Sequence, residues 1–99
     1  MWQLYVFNFL AGLFAANGSP HFIKGVVGQK HQTPFGKPSS AVVNVCWGWV
    51  NFVVAAIFLY FGHVLAHEYR AFALFAVGAL LISLFSANVW SKHPEYNNR

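Results

Sequence analysis

Charged side chains are excluded from three long stretches of this chain. Residues 2–23, 38–67 and 71–91 contain no Lys, Arg, Asp or Glu. A helix needs ~20 mainly apolar residues to cross ~30 Å of membrane hydrocarbon. The pattern therefore predicts an all-α integral membrane protein with three transmembrane helices, in a single membrane-embedded domain over residues 1–99.

The predicted spans cover about residues 2–16, 40–62 and 71–90. The first span ends early because the ring of Pro20 would clash with the carbonyl four residues before it. We expect the helix to break there, with Ser19 capping a short interfacial or re-entrant helix that begins at Pro20. A continuous helix with a kink at Pro20 is the alternative. No β-strand is expected anywhere in the chain.

Residues 17–39 join the first two spans and are more numerous than a helix–helix connection requires. Aromatic and basic residues alternate there with turn-forming residues, as in segments that lie in the headgroup layer. The residues expected to hold this interfacial loop are Pro20, His21, Phe22, Lys24, Pro34 and Phe35. Ser39 or Ser40 then caps the second span.

Composition supports a membrane protein over a soluble one. Apolar residues make up 58% of the chain and charged residues 8%, whereas a soluble domain carries about 25% charged residues. The net charge of +4 does not predict a nucleic-acid partner, because the basic residues form no stripe or stacking surface. Anionic lipid headgroups of the bilayer are the expected partners of these charges.

The distribution of Lys and Arg predicts the orientation of the spans. The loop between the first two spans and the C-terminal tail fall on one side and hold Lys24, Lys30, Lys37, Lys92 and Arg99. The opposite side holds only Arg70. By the positive-inside rule, the N-terminus lies outside and the loop and C-terminus are cytoplasmic.

Each predicted span carries a stripe of small and polar residues at helical spacing. Small residues let helices approach in lipid, and amide side chains belong inside rather than against hydrocarbon. The polar members are Asn8, Asn44, Asn51, Ser83 and Asn88. We expect the stripes to converge and to hold the helices together. A polar-lined intramembrane pocket made by the same residues is the alternative.

The residues with catalytic or metal-binding chemistry do not form a recognisable site. His63 and His67 share a helical face and are the candidate metal ligands, but structural zinc needs four ligands, so interfacial histidines without metal are favoured. Haem would need an opposed histidine pair from a second subunit. Glu68 and Glu95 fall on opposite sides of the membrane, so they cannot act as an acid–base pair. Neither an enzyme nor a cofactor is predicted, although lipid remains a candidate ligand. Cys46 is expected to be a small buried side chain.

Three short motifs follow one another in the chain: Pro20-His21-Phe22, Thr33-Pro34-Phe35 and Val42-Val43-Asn44-Val45-Cys46-Trp47-Gly48. They resemble a group of small bacterial inner-membrane proteins to which no activity is assigned. The resemblance covers about residues 8–52 and implies a location in the bacterial inner membrane. A helix followed by a break with Gly and Lys is also similar to the DoxX-like membrane family. That family usually has four helices, so no site residue is carried over to this chain.

These observations predict a non-catalytic membrane protein that works as an accessory or assembly subunit of a membrane complex or as a homo-oligomer. A homo-oligomeric carrier or binding protein for a small solute or lipid is the first alternative. A histidine-dependent metal or haem protein is the second.

Overall fold

The computed structural model describes residues 2–62 and 69–92. Three helices and a small hairpin make up this part of the chain. They are α1 (Trp2–Val26), β1 (His31–Thr33), β2 (Gly36–Ser39), α2 (Ala41–Gly62) and α3 (Tyr69–Ser91). The predicted three-helix, mainly helical architecture is confirmed. The predicted turn between the last two helices, with His63, His67 and Glu68, lies outside the described residues.

Two helices are long and apolar enough to cross a membrane. The most apolar windows of α2 and α3 have mean hydropathies of 2.0 and 2.1. α1 has 25 residues but includes Asn, Ser, Pro and His, so none of its windows is apolar enough to count as a membrane span by composition. The membrane character of α2 and α3 by length and composition agrees with the sequence pattern, whereas a third span in α1 stays a prediction.

The predicted break at Pro20 is wrong, because α1 continues without interruption to Val26. The short helix expected to begin at Pro20 is instead the last part of α1. Pro20 lacks an N–H, so the carbonyl of Ala16 loses its intrahelical donor. Gly18 and Gly25 pack against α2 on either side of Pro20, and this packing supports a continuous helix through the proline.

The loop after α1 contains a two-stranded antiparallel hairpin, so the expectation of no strand is also wrong. The buried hydroxyls of Thr33 and Ser39 hydrogen bond across it at 2.5 Å. The Phe35 amide also donates to the Thr33 hydroxyl, at 3.1 Å, and closes the turn. Strands of three and four residues carry too little hydrophobic alternation to be recognised in the sequence. Ser40 follows the hairpin and caps α2 as predicted, accepting from the Val43 amide at 3.2 Å.

α1 packs antiparallel to α2 with their backbones in contact. Gly25 lies against Ala41, and Gly18 lies against Gly48. A methyl group added at Gly18 or Gly48 would approach a backbone carbonyl oxygen of the other helix to 2.8 Å. Small residues therefore set the separation of these helices, as they do in membrane helix pairs.

α1 packs against α3 on its other side, and these two helices run parallel. A methyl group at Gly12 would lie on the carbonyl of Phe75, and one at Gly78 would lie on the carbonyl of Phe9. The far ends of both helices meet the hairpin, where Trp90 of α3 packs on a hairpin side chain. α1 is thus the central helix of the described chain.

The interior of this structure contains small and polar residues in place of large apolar ones. Its buried hydrophobic residues are Ala11, Ala55 and Ala71. Its largest fully buried side chains are Asn8, Asn44 and Thr33. The outer faces carry the Val, Leu, Ile, Phe and Trp side chains. This distribution is the reverse of a water-soluble domain.

Two expectations about burial are corrected. α3 meets α1 most closely at Ala71 and Gly78, so the predicted polar residues Ser83 and Asn88 lie outside the closest contact, and both are exposed. Cys46, expected to be buried, is exposed on α2. The buried residues Asn44, Gly48, Asn51 and Ala55 of α2 follow one another at intervals of four, three and four residues. Cys46 lies between the first two and does not belong to this series.

The close contact at Gly48 predicts a strong effect of side-chain size. Gly48→Leu should lower the free energy of unfolding in detergent micelles by roughly 1–3 kcal/mol, because the side chain would overlap the backbone of α1. Ala56→Leu is the matched control on the exposed face of α2 and should leave stability nearly unchanged. Equal losses in the two variants would contradict the packing of α1 on α2.

Candidate functional site

Asn44 is the centre of a buried polar cluster at the hairpin end of the helices. Its Nδ2 lies 3.0 Å from the carbonyl oxygen of His31, 3.2 Å from that of Ser39 and 3.0 Å from that of Ser40. Its Oδ1 lies 2.9 Å from Nδ1 of His21. The amide oxygen can only accept, so His21 carries its proton on Nδ1 and donates. One side chain thereby joins α1, both strands and the start of α2.

Aromatic rings extend this cluster from α1 through the hairpin to α3. The imidazoles of His21 and His31 have centroids 4.8 Å apart. His31 in turn meets the indole of Trp90 edge-on at 5.1 Å. The hairpin is therefore held against the ends of all three helices by hydrogen bonds on one side and ring contacts on the other.

The cluster borders a cavity of about 210 Å³ between α1, α3 and the hairpin. For comparison, an apolar cavity of about 150 Å³ accommodates benzene. Its polar lining residues are Asn17, His21, His31, Gln32, Thr33 and Ser86. Its aromatic walls are Trp47, Phe85 and Trp90. The residues present can donate and accept hydrogen bonds and can stack against a planar group.

Two further polar contacts join α1 to α2 away from the cluster. Asn17 donates from Nδ2 to Oδ1 of Asn51 at 3.1 Å, and Asn51 donates to the carbonyl of Trp47 at 2.9 Å. At the opposite end, Asn8 donates from Nδ2 to the carbonyl of Gly62 at 2.9 Å. Each asparagine of the predicted set on these two helices therefore makes a hydrogen bond in the interface of α1 with α2.

The predicted polar residues do not meet in one pocket. Asn8, Asn51 and Asn44 occupy three different heights along the helix pair. Ser83 donates to the carbonyl of Ala79 in its own helix at 2.7 Å, and Asn88 is exposed on α3. The structure separates the α3 residues from the asparagines because α3 turns a different face to α1.

The predicted interfacial residues fall into two groups. Pro20, His21, Phe22 and Lys24 belong to the last part of α1, and Pro34 and Phe35 form the hairpin turn. The candidate metal ligands His63 and His67 lie outside the described residues. Within residues 2–62 and 69–92, no group of three metal-ligating side chains is present.

His31 and Trp90 are the site residues that sequence reasoning missed. In the structure His31 and Thr33 are buried and Gln32 is half-buried, the alternation of a strand with one face covered. In the sequence all three residues are polar and the segment is too short to distinguish from a loop. Comparison of the chain with protein families, with characterised proteins and with solved structures finds no match.

Because Asn44 contacts four other residues, its replacement should lower the free energy of unfolding more than the replacement of another asparagine in the helix interface. Asn44→Leu removes four hydrogen bonds and should lower the free energy of unfolding by about 2–3 kcal/mol, whereas Asn17→Leu removes one and should lower it by ~0.6 kcal/mol. Denaturation in micelles measures both values. Hydrogen exchange of residues 31–39 should accelerate in Asn44→Leu alone, and unchanged protection there would contradict its role in holding the hairpin.

Proposed function

We propose that this chain is a non-catalytic, three-span membrane protein that works as an accessory or assembly subunit, either with a larger membrane complex or with further copies of itself. The observation that carries the proposal is the reversed burial, with small and polar residues inside and large apolar residues outside. Such a surface is stable where the surroundings are hydrocarbon, because lipid tails do not penalise exposed Leu, Val and Phe.

The outer faces of α2 and α3 support the membrane setting. Only 22% of the apolar window of α2 and 6% of that of α3 is buried within the chain. A core helix of a soluble protein would be mostly buried. The exposed large apolar residues number twenty in the described chain, far more than a soluble monomer of this size displays as scattered surface residues.

α1 is proposed as the third span despite its lower hydropathy. Its polar residues Asn8, Asn17 and His21 face α2 and are hydrogen-bonded there, so they are not presented to lipid. The long dimension of the chain is 42 Å, comparable with the ~40–45 Å of a bilayer with its headgroups. The helices therefore have the length and the internal hydrogen bonding that three spans require.

The charges support one orientation of the three spans. The parallel course of α1 and α3 leads Lys24 and Lys92 to the hairpin end, where the hairpin itself holds Lys37. Arg70 begins α3 at the opposite end. The positive-inside rule then places the hairpin end in the cytoplasm and the start of α1 outside. The resemblance of the motifs in residues 8–52 supports a bacterial inner membrane.

The subunit role is supported by how the polar groups are used. Asn8, Asn44 and Asn51 hydrogen bond to neighbouring segments of the same chain, so they stabilise its fold. On α3, by contrast, Asn88 is exposed. An amide on an outer helix face is costly in hydrocarbon and favourable when a partner helix supplies hydrogen bonds. We therefore place the partner contact on this face of α3.

Membrane topology can be measured with single cysteines. In a Cys46→Ala background, Gln3→Cys should react with a membrane-impermeant maleimide added outside right-side-out vesicles. Lys37→Cys should react only after the vesicles are opened, because three spans place these residues on opposite sides. Labelling of both residues from the same side would contradict the three-span topology.

Association can be measured by native mass spectrometry after extraction in mild detergent. We expect a complex heavier than the 11.1 kDa chain, and Asn88→Leu should reduce its abundance. Ser91→Ala is the matched control, because the Ser91 hydroxyl already donates to the carbonyl of Asn88 in its own helix at 2.9 Å. A single chain without protein partners at all detergent concentrations would contradict the subunit proposal.

A further inference from the structure

An open groove runs along the side of the polar cluster between α1 and α3. It has a volume of about 290 Å³ and adjoins the cavity of the cluster. The two spaces share the lining residues Pro20, His31, Ser86 and Trp90. One end of the combined space is thus polar and aromatic, and the remainder is bordered by small side chains.

The groove exists because short side chains leave space on both helices. Ala16 lines the α1 side, and Ser83 and Ala87 line the α3 side. These α3 residues lie beside the Gly78 contact, not in it, so they flank a gap next to the close approach of the two helices. The lining is mainly apolar, which suits an acyl chain better than a polar solute.

A positive charge lies at the hairpin end of the groove. Lys24 is one of its lining residues. Lys30, Lys37 and Lys92 belong to the same end of the chain, and the described residues include no Asp or Glu. Trp90 adds an indole at this level, a side chain that favours the boundary between hydrocarbon and headgroups.

We propose that this groove binds one anionic phospholipid of the surrounding bilayer. Lys24 binds the headgroup phosphate at the hairpin end, with Trp90 beside it. An acyl chain lies along Ala16, Ser83 and Ala87. The inference rests on the proposed membrane setting and does not depend on the subunit role.

Charge favours a lipid over a second copy of the chain as the occupant. A copy in the same membrane has the same orientation, so its lysines would lie at the level of Lys24, Lys30 and Lys37. The sequence of these segments, 24–40 and 92–99, holds four lysines and one arginine but a single carboxylate, Glu95, so copies brought together at the groove would repel each other there. An anionic headgroup removes this repulsion, and each lysine near such a headgroup contributes roughly fivefold in affinity.

The test is competition between two lipids on the purified full-length chain. Phosphatidylglycerol and phosphatidylcholine with identical acyl chains are added to the delipidated protein in micelles, and bound lipid is counted by native mass spectrometry. We expect phosphatidylglycerol to be preferred. Lys24→Gln should reduce the preference about fivefold. Lys37→Gln makes the same change in net charge on the exposed hairpin and should alter it by less than about twofold.

Filling the groove tests the acyl-chain part of the site. Ala87→Leu and Ser83→Leu should each reduce the binding of both lipids, while Ala73→Leu on another exposed part of α3 should not. Circular dichroism and thermal unfolding establish which variants keep the fold. One folded variant, Ala87→Leu or Ser83→Leu, is enough to test the acyl-chain part of the site.

Three results would overturn the proposal: an equal loss of preference in Lys24→Gln and Lys37→Gln, undiminished lipid binding in a folded groove variant, or a change of oligomeric state in place of lipid loss. The last would assign the groove to a second copy. If the groove does not bind lipid, the mass of the protein complex and its dependence on Asn88 are still expected as above. The lipid site and the subunit role can therefore be rejected independently.

Discussion

The close approach of α1 to both of its neighbours is the contact on which the other features of this structure depend. Gly18 and Gly48 bring α1 and α2 together, and Gly12 and Gly78 bring α1 and α3 together. At this separation an asparagine on one helix reaches a polar group on the other, so the hydrogen bonds between helices follow from the glycines. Large apolar side chains flank this contact, where half-buried Phe14 and Phe22 of α1 pack on rings of α2, or lie on the outside. The reversed distribution of residues is thus a consequence of backbone contact, which in lipid substitutes for the hydrophobic effect.

The polar cluster depends on the same geometry at the end of the helix pair. Gly25 lets the last turn of α1 contact the first turn of α2, which brings His21 within hydrogen-bonding distance of Asn44. Asn44 then has two amide protons left for the carbonyls of the hairpin and of its own helix cap. A chain segment that would otherwise be an exposed loop becomes an ordered cover over a cavity. The cavity and the adjoining groove are therefore bordered by segments that these hydrogen bonds and ring contacts hold together.

Much of the helical architecture could be predicted from the sequence, and much of the site could not. The absence of charge located α2 and α3, and Ser40 was recognisable as a cap because its role is local. The burial of Asn44 and Asn51 followed from their spacing. Pro20 was misleading, because the rule that proline ends a helix omits the packing on either side of it. His31 and Trp90 carried no usable signal, since each acquires its role only from a ring contributed by a distant segment.

Hydropathy and charge are properties of consecutive residues, and they sum along the chain without reference to its fold. The sequence by itself therefore determined that the chain forms three helices, that α2 and α3 are apolar enough for a membrane, and where the basic residues gather. The choice of contact face on α3, the continuity of α1 and the four partners of Asn44 depend on which segments meet in space. Those features were decided by tertiary structure, because hydrogen bonds and van der Waals contacts act only over a few ångströms between groups that are far apart in the chain.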